Sequence, residues 1–142
     1  MQSDSYTGSV TWVKSLQFVA HASKSGAAFV LDGTPEVGGF GSGVLPMEAL
    51  LLSLASCTGM DVIAVLRKKR QNVSAFAVNV TGTRADEHPK AYTHIELEFV
   101  VGGTDISENA IRRAIELSQT KYCGATASLR AEVTYTYRVE AA

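Results

Sequence analysis

Polar and apolar positions follow two different rhythms along this chain, and the change from one to the other marks out its elements. Residues 7–14, 17–22 and 27–32 carry β-branched and aromatic side chains in rough alternation with polar ones, which is the period of a strand. Three short strands are predicted there, joined through the polar turn Ser23-Lys24-Ser25-Gly26 and closed by Asp32-Gly33-Thr34-Pro35. The glycine-rich residues 38–43 then read as a flexible connection. From Pro46 the pattern turns almost continuously apolar. Proline suits a first helical turn because its φ is already helical and its missing N–H would be unpaired there. Glu48 complements the positive end of the helix dipole and the run Arg67-Lys68-Lys69-Arg70 the negative end. One long helix is therefore predicted over residues 46–70, with Cys57 near its middle.

Alternation returns over residues 73–84, with Val73, Ala75, Ala77 and Asn79 on one face and Phe76, Val78 and Val80 on the other, and again over residues 92–101. The charged segment 84–90 connects the two. After Gly102-Gly103, Asp105 or Ser107 can cap a second helix whose inward face is Ile111, Ala114, Ile115 and Ser118. Residues 132–140 close the chain as a strand, with Val133, Tyr135, Tyr137 and Val139 on one side. The order of strands, long helix, strands, helix and strand predicts an α+β fold, and the length suits a single domain over residues 1–142.

Charge removes several function classes. Thirteen basic and fourteen acidic residues leave a formal charge of -1, and no basic stripe alternates with aromatics, so nucleic acid is not an expected partner. The first residues have neither the basic end nor the apolar run of a signal peptide, and two cysteines without one suit a cytoplasmic location, where thiols stay free or cycle. Residues 49–66 are apolar enough to raise a membrane span, but Asp61 in their midst would cost several kcal/mol in hydrocarbon. A buried central helix is expected instead, with no membrane partner.

The candidate chemistry is sulfur. Cys57 and Cys123 are far apart in sequence, form no CxxC pair and have no histidine at zinc-finger spacing, so no metal site is expected and only the fold can bring them together. From the residues alone they are either small buried hydrophobes or redox-active thiols. Asp61 lies one helical turn from Cys57 and would raise its pKa, whereas residues 124–129 can start a helical turn that favours a Cys123 thiolate, with Lys121 close by. Either sulfur is open as the one that reacts first. The glycines at 38–43 lack the Lys-Ser/Thr of a phosphate loop, His21, His88 and His94 are scattered, and no G-x-S-x-G elbow is present.

The segments 46–62 (PMEALLLSLASCTGMDV), 84–95 (RADEHPKAYTHI) and 121–123 (KYC) together resemble the OsmC/Ohr family of osmotically inducible and organic hydroperoxide resistance proteins, and within it the YhfA-like branch. The resemblance implies two antiparallel sheets around long central helices in a swapped homodimer, with active sites at the subunit interface. It implies that Cys57 attacks a hydroperoxide and becomes a sulfenic acid, that Cys123 condenses with it, and that a dithiol reduces the disulfide, without metal or organic cofactor. The apolar residues 50–60 would suit an organic hydroperoxide. The family's catalytic glutamate directly follows the proline. Met47 stands there, so Glu48, one position and about 100° further round the helix, is the candidate for that role. The family's N-terminal arginine is absent, since Arg67 is the first arginine; Lys14 or Lys24 are candidate substitutes. The alternatives are a non-catalytic, redox-responsive or ligand-binding homodimer that kept the fold without the arginine and glutamate, and some other Cys57 thiol chemistry on an apolar electrophile.

Overall fold

A computed structural model describes residues 4–141. The chain forms two compact units, Met1–Leu50 and Leu51–Ala142. In the first, β1 (Gly8–Lys14), β2 (Gln17–Ala22) and β3 (Ala28–Leu31) make an antiparallel sheet in sequence order. The β1–β2 turn places Ser15 at φ 54, and the Trp12 indole N–H donates to the Ser15 carbonyl at 2.8 Å.

The glycine-rich segment predicted as a flexible connection is instead fastened. Asp32 is 2 % exposed, and its carboxylate accepts from the backbone N–H groups of Gly33 (2.7 Å), Phe40 (3.2 Å) and Ser42 (3.1 Å) and from the Ser42 hydroxyl (2.6 Å). These bonds, the Ser42 hydroxyl first, hold the Asp32 carboxyl below its usual pKa. Glycine is required within this knot, since a Cβ at Gly39 would run into the Gly33 carbonyl. Among the described residues of this unit, no hydrophobic side chain is buried.

Helix α1 (Pro46–Lys68) begins as predicted. Glu48, three positions past Leu45, turns back so that its Oε1 accepts the Leu45 N–H at 3.0 Å, the reciprocal half of a capping box. The helix stops two residues before the predicted end because Arg70 takes a left-handed φ of 55. The N–H of Arg70 then reaches the Arg67 carbonyl (2.9 Å) and that of Gln71 the Leu66 carbonyl (3.0 Å), closing a Schellman motif. By length and composition α1 could cross a membrane. Here Leu54, Thr58, Val62 and Leu66, spaced one turn apart, are buried in the core of the second unit.

That unit has a sheet in the order β4 (Asn72–Arg84), β5 (Tyr92–Thr104), β6 (Glu132–Ala141). The expectation of two antiparallel sheets is corrected here: β4 and β5 are antiparallel, but β6 runs parallel to β5. The connection from β5 carries α2 (Glu108–Leu117), a π-helical turn (Ser118–Tyr122) and α3 (Gly124–Ser128), so the chain is carried back before it re-enters the sheet. Ile95, Leu97, Phe99 and Val101 of β5 alternate into the core against α1 and against Ile111, Ala114 and Ile115 of α2. A bulge between Val73 and Ala75 shifts the β4 alternation, so Val73 packs on the core side with Phe76, Val78 and Val80 rather than on the opposite face. Ser107, not Asp105, caps α2: its hydroxyl accepts the Ala110 N–H at 3.2 Å, while Asp105 sits at φ 53.

Candidate functional site

The long helix fixes one sulfur and the crossover fixes the other. Cys57 precedes the buried Thr58 on α1 and lies at the edge of the core stripe, half-buried. Cys123 follows the π-helical turn, where its N–H reaches back five residues to the Ser118 carbonyl at 2.7 Å. It is also the N-cap of α3: Sγ accepts the Thr126 N–H at 3.4 Å, and the residue is only 4 % exposed. Both thiols are free. They lie near one another within one chain, close enough for the Cys123 thiol and the Ala125 N–H to act on the Cys57 thiol. The start of α3 therefore acts on both sulfurs, the Thr126 N–H by its hydrogen bond to Cys123 and the Ala125 N–H by favouring the charged form of Cys57.

Burial pushes the Cys57 thiol above its ordinary pKa; the Ala125 N–H opposes this, and the Cys123 thiol and the Asp61 carboxylate add to the rise. None of these groups is a cation. The site thus keeps Cys57 as a thiol more firmly than water would, and the amide is the counterweight when the thiolate forms.

Behind the sulfurs runs a continuous polar chain. The Thr126 hydroxyl donates to Gln119 Oε1 (3.2 Å), and Gln119 Nε2 donates to Thr58 Oγ1 (2.9 Å). Thr58 and Ser118, both fully buried, share a hydrogen bond at 2.7 Å, and the Ser118 hydroxyl donates to Asp61 Oδ2 at 2.8 Å. Because Ser118 gives its proton to the carboxylate, Thr58 donates to Ser118, and the chain has one direction from Thr126 to Asp61. Sequence reasoning placed Ser118 inward but missed Thr58, Gln119 and Thr126. The available signal was Thr58, a hydroxyl in the apolar stripe Leu54, Thr58, Val62, where a buried polar group needs a partner.

The other candidates are engaged elsewhere. Glu48 caps α1 through the Leu45 N–H. The Lys121 ammonium stands over its neighbour Tyr122 at 5.2 Å, and that of Lys24 over Tyr6 at 4.9 Å. His94 Nε2 is bonded to Thr134 Oγ1 at 3.0 Å. Among the described residues no three His, Cys, Asp or Glu side chains gather as a metal cage requires. An open apolar cavity of about 620 Å³ lies between α1 and β4, lined by Leu52, Ser56, Met60, Ile63, Phe76 and Val78. A second, of about 450 Å³, lies between Asp61, Val65 and Lys68 of α1 and Leu117 and Tyr122.

An α+β chain in which a long helix and a crossover turn bring two free thiols near one another is a dithiol protein with both sulfurs of the pair in one chain. The chain belongs to the OsmC-like family: the model of the OsmC-like protein family matches residues 39–138. Protein YhfA of Escherichia coli K12 is 36% identical over 135 residues, covering 94% of this chain and 97% of that protein. A hypothetical protein from Aquifex aeolicus VF5 superposes with a TM-score of 0.85 at 29% identity, covering 99% of each chain. An organic hydroperoxide resistance protein OsmC from Legionella pneumophila shares the fold at a TM-score of 0.67 and 11% identity, again over 99% of each chain.

Proposed function

We propose that this protein reduces organic hydroperoxides through Cys57 and Cys123. The observation that carries the reading is the meeting of two free thiols in one chain, one half-buried and one enclosed. In the first step the Cys57 thiolate attacks the outer peroxide oxygen, the O–O bond breaks, and the alkoxide takes a proton and leaves as the alcohol. The resulting sulfenic acid is attacked by the Cys123 sulfur; a disulfide forms and the hydroxyl leaves as water. A dithiol reductant returns both thiols by exchange. The half-buried Cys57 is the accessible sulfur for the first step and the enclosed Cys123 the second. The apolar composition of α1 around Cys57 favours an alkyl hydroperoxide over hydrogen peroxide. Membership of the family that includes organic hydroperoxide resistance proteins supports the same chemistry, and free thiols that must be regenerated suit a reducing cytoplasm.

The working unit in this proposal is a homodimer. The β1–β3 sheet leaves Val10 61 % and Trp12 62 % exposed, and α1 leaves Met60 72 % exposed beside the 620 Å³ apolar cavity. Apolar surface on this scale is covered in a stable protein, and a second copy of the chain is the occupant proposed.

The raised pKa of Cys57, without a cation among the groups that shift it, favours a second reading in which the dithiol responds to oxidants without turnover. Intact-mass analysis after exposure to an alkyl hydroperoxide separates the two from inert thiols. The expected result is loss of two hydrogens per chain, no change in Cys57→Ser, and an oxygen adduct in Cys123→Ser. Repeated cycles with a dithiol reductant indicate the enzyme, a single slow oxidation the responsive protein, and unchanged mass overturns both.

A further inference from the structure

The polar chain behind the sulfurs joins the two segments that carry them. Thr58 directly follows Cys57 on α1, and Thr126 lies in the α3 turn that begins at Cys123. Gln119 bonds to both: its Oε1 accepts from Thr126 at 3.2 Å and its Nε2 donates to Thr58 at 2.9 Å. Thr126 in turn holds the Cys123 sulfur through its own N–H. Gln119 sits in the π-helical turn, whose extra residue lets Ser118 point at Asp61 and Gln119 at Thr58 in succession.

We propose that Gln119 is a positioning residue for the dithiol: by bridging Thr58 to Thr126 it sets the placement of Cys123 against Cys57. A disulfide demands Cβ atoms roughly 4 Å apart and a narrow torsion, so an error of an ångström in the α3 turn is felt at the sulfurs. A half-buried amide with fixed donor and acceptor ends sets that distance with less freedom than apolar contacts would leave. The proposal rests on the two-cysteine reading, but it concerns how readily the sulfurs pair and not which oxidant drives them.

Equilibration with glutathione tests it without any peroxide. The protein dithiol and glutathione disulfide exchange to give the Cys57–Cys123 disulfide and two glutathione thiols; the glutathione S–S bond breaks, and the two cysteine hydrogens end on glutathione. The equilibrium constant measures the effective concentration of one protein sulfur at the other. Gln119→Leu, which keeps bulk and loses both bonds, is expected to lower that constant at least about tenfold. Thr126→Val, which removes only the hydroxyl bond to Gln119, should lower it in the same direction, and Thr126→Ser, which keeps that hydroxyl, should return it to within about twofold of the native value. A simple packing defect would not be repaired by the smaller serine. A constant unchanged in Gln119→Leu overturns the proposal. If that variant does not fold, Thr126→Val with a native constant overturns it equally, and failure of both to fold shows a stability element in place of a positioning one. Normal glutathione equilibria in a chain inert to alkyl hydroperoxide would reject the proposed function while leaving this inference standing.

Discussion

Cys57 shows how neighbours set a thiol against its task. Burial is the largest influence on it and raises its pKa above the ordinary 9.0, with Asp61 pushing the same way and the Ala125 N–H resisting. Only the thiolate attacks, so alkylation of Cys57 in a Cys123→Ser background is expected to accelerate with pH by roughly tenfold per unit and to level off only above pH 9. In the stability balance the sign is opposite. Below the unfolded-state pKa both states hold the proton and nothing is lost. Above it the unfolded chain releases its proton first, and stability falls as pH rises toward the folded value. Asp61→Asn removes a like charge and keeps an oxygen for the Ser118 hydroxyl, so it should speed alkylation at pH 7 about two- to fivefold. An unchanged rate would mean that the carboxylate does not reach Cys57 electrically. None of this could be computed from the sequence beyond the i,i+4 relation of Cys57 to Asp61, because Ala125 and Cys123 reach Cys57 only through the tertiary fold.

At the scale of elements, the readable features were those set by neighbours in the chain. Pro46 and Glu48 announced the start of α1, the inward stripe fell on Ile111, Ala114 and Ile115 of α2 and ran on to Ser118 in the π-helical turn, and Cys123 stood where a short helix begins. Elements whose form depends on distant partners were not legible. The parallel pairing of β6 depends on where the crossover delivers the chain, the Val73 shift on a bulge against β5, and the order of the 38–43 loop on one buried carboxylate, Asp32. Glu48 belongs to this scale as well. Its bond to the Leu45 N–H makes it a helix cap, so Glu48→Ala should lower unfolding stability by about 0.5–1 kcal/mol in urea titrations, while Glu48→Gln, which keeps an acceptor, should lower it less. Equal stability of Glu48→Ala and the native chain would remove the cap.

For the whole molecule, the question is what covers the apolar surface. The exposed Met60 and the cavity beside it mark the α1 face proposed to meet a second copy. Light scattering coupled to size-exclusion chromatography is expected to give a dimer. Met60→Glu, which sets a charge in that apolar face, should weaken the dimer by more than about tenfold. A native chain that runs as a monomer at micromolar concentration would contradict the dimer. The resemblance in residues 46–62, 84–95 and 121–123 foretold the family, and the family match and the fold bear it out. The nearness of the two sulfurs within one chain could not be read from their positions, because it arises from α1 and the β5-to-β6 crossover packing on the same sheet.

The most direct test of the account is the connectivity of the disulfide formed when the native protein meets one equivalent of an alkyl hydroperoxide. Peptide mapping without reductant is expected to find Cys57 joined to Cys123 of the same chain, with no covalent dimer on a denaturing gel. Thiols that stay free, or a bond that links two chains, would contradict it.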